Sequence, residues 1–271
     1  MVRLHGLVVV SFCVLLSGRA TGALIDVTID GGDAIFLAGR TDVVIPPASD
    51  SWTTGTHLIR HGFSTPEEIL ESVPDFVSVM AGDVIRVADP AVGGVNFFLG
   101  FGPPYFGPGG NGAAGSNLTA LDGISGYRGP QGPLTGVFLD NSIPSSGPPP
   151  ATLDFTPGGL GIDFLTLSPL LRQIFYIGDG LTAGGVFQQF IAPAGATRLF
   201  LGIPDGFGFG GAPGAYDDND GSYRVRLGIN QIPAVPEPGS VSLMLAGLAF
   251  CGCRLRGTAR IRPDRRTAET L

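Results

Sequence analysis

Asp205, Asp217, Asp218, Asn219 and Asp220 put five side-chain oxygen donors into one glycine-rich stretch, DGFGFGGAPGAYDDNDG. Hard oxygen ligands at this density suit calcium, which accepts six to eight oxygens in flexible geometry. The spacing is not that of a helix–loop–helix calcium loop. With Gly221 at its invariant glycine, Tyr216 falls at the first ligand position and Leu227 at the bidentate one. The same letters also spell a solvated turn, because Asp, Asn and Gly are ordinary turn residues. Composition leaves both readings open.

Other chemistry is thin. His57 and His61 are four apart in HLIRH. On a helix they would share a face and could hold zinc, but the apolar residues between them favour a strand or sheet edge. No G-x-S-x-G elbow or phosphate loop occurs. Asp122, Asp140, Asp154 and Asp163 read as turn residues rather than hydrolytic pairs. With no visible nucleophile–base pair, the chain is not read as an enzyme.

The cysteines are informative by position. Cys13, Cys251 and Cys253 all lie in terminal apolar runs, which leaves none between them for a disulfide framework, a thiolate metal site or a cysteine nucleophile. From Ala23 to Phe250 there are 8 arginines against 21 acidic residues, a net of −13. So acidic a body repels phosphate backbones and excludes nucleic acid as an expected partner. It suits divalent cations.

The ends read as addresses. Residues 1–23 have a basic start at Arg3, an apolar run and a small-residue exit, the pattern of a secretory leader cut by signal peptidase. At the other end a Pro-rich linker, 231–239, precedes an apolar segment, 240–253, read as a transmembrane helix. An arginine-rich tail, 254–271, follows. Pro238 to Cys253 would span roughly 24 Å as a helix, short of the ~30 Å hydrocarbon core. Arg254 and Arg256 can snorkel to the headgroups on the cytoplasmic side.

Between the ends, residues 24–230 read as many short strands with turns every 8–15 residues. That pattern argues for an all-β protein, an antiparallel β-sandwich, whose jelly-roll, galactose-binding-like form is what a family resemblance in Asp205 to Val225 implies. DAIFLAG is read as a strand and residues 94–117 as a strand running into a long loop. STPEEILESV is the one helix signal, with Thr65 as N-cap, Pro66 at the first position and Glu68 in a capping box.

Pro236-Glu237-Pro238, then an apolar run, then clustered arginines resembles the PEP-CTERM sorting signal of Gram-negative bacteria. The resemblance implies export, transient inner-membrane retention, processing by an exosortase-type membrane protease, and a destination at the cell surface or in the extracellular matrix. The body is similar to PA-IL-like calcium-dependent galactose-binding lectins. The match rests on Asp205, Pro213-Gly214-Ala215-Tyr216, Asp218-Asn219 and Gly221 to Val225, with weaker pieces upstream. It implies a calcium held by the carboxylates of Asp205 and Asp218, the Asn219 side chain and the Ala215 carbonyl, with a further carbonyl from residues 101–105. It also implies a polysaccharide or galactoside ligand that uses Asp205 and Asn219, with Phe207 and Phe209 as candidate stacking rings. The glycine-rich stretch GPGGNGAAGSN carries neither the His nor the Gln that grips sugar in those lectins. A structural or adhesive envelope protein with a purely structural calcium is the alternative, and an envelope hydrolase ranks last because no nucleophile–base pair is visible.

Overall fold

A computed structural model describes residues 22–50, 56–61, 70–98 and 102–231. Residues 1–21 of the leader, the Pro-Glu-Pro motif, the apolar segment and the arginine tail lie outside the described residues, as does most of the expected helix, while Ala23 at the leader's expected end opens a strand. Among the described residues no helix is long and apolar enough to cross a membrane.

The chain folds into short, mostly antiparallel strands in several sheets. The first sheet holds β1 (Ala23–Asp30), β12 (Asp220–Ile229), β3 (Val84–Asn96), β9 (Gln189–Ile191) and β7 (Thr166–Leu167), in that order. The second runs β2 (Phe76–Ser78), β10 (Arg198–Gly202), β6 (Thr135–Leu139), β8 (Ile174–Tyr176). A third joins β11 (Gly210–Gly211), β4 (Asn111–Leu118) and β5 (Tyr127–Gln131).

Strand faces follow the alternation in the sequence. On β12, Tyr223, Val225, Leu227 and Ile229 are buried, while Arg224 and Arg226 face solvent. β1 pairs with β12 along its whole length, from Ala23 opposite Ile229 to Asp30 opposite Ser222. In the second sheet the interior strand β6 is buried at every residue, as a strand covered on both faces must be. Rings from the two larger sheets meet in one core: Phe175 of β8 lies 5.1 Å from Phe190 of β9 and 5.1 Å from Phe138 of β6.

Two local expectations fail. Ile35–Leu37 forms a 3-10 turn, not a strand, with all three side chains buried. A run buried on every side carries no alternation to distinguish the two. Asn111–Leu118 is a strand where a loop was expected, since its glycines and alanines give no hydrophobic period.

Candidate functional site

The acidic stretch is the connection from β10 in the second sheet to β12 in the first. Tyr216 fixes its middle. The ring is buried and its hydroxyl donates to the Ile203 carbonyl at 2.7 Å, while Asp205 N donates back to that hydroxyl at 3.3 Å. Gly214 N donates to the Asp205 carbonyl at 3.0 Å, which closes the loop. Ala215 takes a left-handed conformation (φ 66°) and leads into a 3-10 turn, Tyr216–Asp218.

These carboxylates are not a solvated turn. Asp205 and Asp217 are each 1 % exposed, Asn219 2 % and Asp218 7 %. Burying several carboxylates costs heavily unless charge or hydrogen bonds compensate. Asp205 Oδ1 accepts from Gly206 N at 2.7 Å, but Oδ2 is buried with no hydrogen-bond partner. Asn219 Nδ2 donates to the Gly31 carbonyl at 2.9 Å, and its Oδ1 is likewise buried and unpartnered. Burial, then the neighbouring Asp218 carboxylate, pushes the Asp205 carboxyl well above the usual carboxylate range.

The structure adds a residue that sequence reasoning did not place here. His61 Nδ1 lies 3.0 Å from Asp218 Oδ2, and His61 N donates to Asp217 Oδ1 at 2.8 Å. Burial holds the imidazole below its ordinary value, with Asp217 pulling the other way. His61 arrives on residues 56–61, an extended strap that bridges Ile59 to Gly214. Ala215 N donates to the Ile59 carbonyl at 2.6 Å. A Cβ at Gly214 would sit 2.1 Å from that carbonyl oxygen, so only glycine allows the approach. Arg60 anchors the strap from below. Its guanidinium forks onto Glu71 at 2.8 and 3.0 Å and donates to the carbonyls of Pro46, Pro47 and Asp50.

The strap also separates the two histidines. His57 Nδ1 lies 2.8 Å from Asp122 Oδ2, a carboxylate that also takes Arg40. The edge reading of HLIRH holds, and the two rings pair with different aspartates. Asp140 and Asp154 behave as turn residues and accept the backbone N–H groups of Ser142 and Thr156, two residues on. Asp163 does not close a turn: it accepts from Ala183 N, 20 residues away in the chain.

A cleft of 330 Å³ opens on the loop, lined by His61, Phe97, Phe98, Asp205, Gly206, Gly208, Phe209, Ala215 and Asp218. Phe209 is buried, 5.4 Å from both Phe97 and Phe98, and belongs to the core. Phe207 is 59 % exposed and packs 4.8 Å from the His61 ring. Asn219 borders a separate polar hollow with Asp30, Gly31 and Asp220. Phe101 lies outside the described residues, and the carbonyl of its neighbour Gly102 accepts from Asn96. Asn96 and Phe98 could not be tied to this loop from sequence, since over a hundred residues separate them.

Do these residues fit the calcium that the resemblance implies? Among the described residues no three His, Cys, Asp or Glu side chains form a ready metal cage. The implied set does not need one. Two of its four members are an amide oxygen and a backbone carbonyl, and the unpartnered oxygens of Asp205 and Asn219 are donors of the right kind. The Ala215 carbonyl accepts weakly from Asp218 N, at 3.3 Å, and keeps a second lone pair. The donor chemistry fits a hard cation. Comparison of the chain with protein-family models, curated proteins and solved structures returns no match.

Proposed function

We propose that this is an exported, non-catalytic binding protein. Its β body is a lectin-type sandwich that holds one calcium through Asp205, Asp218, Asn219 and the Ala215 carbonyl. Through that ion it binds carbohydrate at the neighbouring cleft. The observation that carries this reading is the pair of buried, unpartnered oxygens, Asp205 Oδ2 and Asn219 Oδ1, beside two further buried aspartates. When bound, calcium would neutralise these groups and offer open coordination to vicinal hydroxyls. The terminal patterns support delivery to the cell surface or matrix, with Pro236-Glu237-Pro238 marking the point of exosortase processing.

A second reading has an observation in its favour. The proposed ligands are almost completely buried, which suits an ion that only braces the loop.

One preparation tests both levels. The chain is exported from an exosortase-bearing host, and intact mass of the product reads leader and tail removal. Calorimetric titration of that product then reads the ion. Micromolar to millimolar calcium affinity is expected, lost by at least about tenfold in Asp218→Ala. A product that neither binds calcium nor melts higher in its presence would sink the site. A product keeping its tail would sink the sorting reading alone. Calcium binding without saccharide binding selects the structural reading.

A further inference from the structure

We propose that the outer face of the first sheet is a second binding surface, where Arg224 and Arg86 receive the carboxylates of an acidic polysaccharide. It is built on β1, β12 and β3, shares no residue with the cation loop and does not rest on that reading.

The first argument is how the arginines are partnered. Of the eight between Ala23 and Phe250, Arg40, Arg60, Arg128 and Arg226 pair with carboxylates, while Arg172 and Arg198 donate to backbone carbonyls. Arg86 and Arg224 meet no acceptor among the described residues. Both stand on one face. Arg224, Arg226 and Gly228 alternate onto the outer side of β12, and Gly228 pairs with Arg86 in register. A Cβ at Gly228 would lie 3.6 Å from Arg86 Cγ, so the Arg86 stem leans over that glycine. Arg224 is exposed, but Arg86 is only 8 % exposed and its Nε is buried without a partner. Burial alone holds its guanidinium below the ordinary value, with no carboxylate pulling the other way. An unpaired charge so buried costs stability, and a ligand carboxylate is the counter-charge that the fold leaves out.

The second argument is the spacing of charge. Between the two, Arg226 is held by Asp26 at 2.7 and 3.2 Å and reaches Asp89 at 3.4 Å. The stripe therefore sets three arginines against two aspartates, with its unpaired charges at the ends. Arg224 and Gly228 are about 13 Å apart along β12, at ~3.3 Å per residue. A groove of 370 Å³ opens over Arg224 and Arg226, with Thr28 opposite Arg224 on one side and Val92 on the other. Such a surface fits a chain whose acid groups are spaced and whose intervening groups donate hydrogen bonds. Sugar hydroxyls between uronates can donate to Asp26 and Asp89. A phosphate backbone or an anionic bilayer would instead press continuous negative charge on those aspartates and on a body of net −13. A peptide would find no main-chain partner, because β12 has a paired neighbour on each side and peptides add at sheet edges.

The experiment is calorimetry on the full chain in chelator. The probes are an oligogalacturonate, a neutral oligogalactan of the same length, poly-glutamate and vesicles of phosphatidylglycerol. The oligogalacturonate is expected to bind, with affinity falling as salt rises, and the neutral oligomer at least about tenfold more weakly. Arg224→Ala should weaken uronate binding about three- to tenfold, and Arg86→Met at least about tenfold. Without ligand, Arg86→Met should melt no lower than wild type, since it removes an uncompensated buried charge. Calcium affinity should stay within about twofold in both variants, which separates a failure here from a failure of the cation site. No uronate binding in chelator, affinity unchanged in both variants, or equal binding of poly-glutamate or vesicles would overturn the proposal. A lower melt in Arg86→Met would make Arg86 structural and overturn it as well.

Discussion

At the scale of single residues, Asp205 is a side chain whose state the fold strongly disturbs. Its carboxyl is buried beside Asp218 and lifted well above the usual range. A raised carboxyl binds its proton more tightly folded than unfolded. Its contribution to stability is therefore present below about pH 4, the unfolded value, and is lost as pH rises through the folded value. Calcium at the proposed site would act in the opposite sense, because it needs the ionised form and competes with the proton. In chelator, wild type should lose stability from acid towards neutral pH more steeply than Asp205→Asn, which cannot titrate there. In calcium, wild type should regain stability at neutral pH and gain little at pH 4. Matched thermal melts of the two proteins across pH isolate this group from the other carboxylates. Parallel profiles in chelator would show that Asp205 is not the buried acid described here.

At the scale of elements, the site depends on a meeting between the β10–β12 connection and the strap at 56–61. Their closest point is Gly214 against Ile59. Gly214→Ala would force the two backbones apart and strip Ala215 N of its acceptor. A cost of about 1–3 kcal/mol is expected. Calcium should bind more weakly as well, since His61 and Ala215 move with the contact. Thermal melts with and without calcium check both, and an unchanged melt would mean the strap is not needed.

This meeting is also where sequence reading stops. The alternation in β12 reports which face is buried, because a strand writes its two faces into successive residues, whereas β10 is buried from Leu199 to Gly202 and has no period to read. The donor types of Asp205 to Asn219 are equally local, and so was the loop. His61 and Asp218 are brought together by long-range packing, and nothing in HLIRH marks a partner so distant. A buried arginine between two histidines is the one local trace, visible only once Glu71 is seen beneath it. β4 escaped for a different reason, since glycine and alanine give no period to read.

At the scale of the whole molecule, the first sheet is closed by its two terminal strands. β12 lies between β1 and β3, so β1 has no sheet partner until β12 arrives, while β3 is held on its other edge by β9 alone. Long-range pairings of this kind form late and are costly to nucleate. The end of β12 must then be held, and Asn230 holds it. It sits in a left-handed conformation (φ 53°) that asparagine tolerates well. Its N donates to the Val84 carbonyl at 2.8 Å, and its Oδ1 accepts from Val84 N at 2.9 Å. Its Nδ2 donates to Asp83 Oδ1 at 2.7 Å, while Asp83 Oδ2 takes Met80 N at 2.7 Å. Asn230 thus saturates a buried carboxylate and an orphan amide at once, at the last turn before the proposed linker. Asn230→Ala leaves both unmet and should cost about 1–3 kcal/mol in chemical denaturation. Asn230→Asp should cost at least as much at neutral pH, because it sets a second carboxylate against Asp83 in place of the amide donor. Denaturation midpoints unchanged in both variants would show that the contact with Asp83 is not what fixes the strand. The clasp ties the end of β12 to residues 83–84 at the start of β3 through three hydrogen bonds.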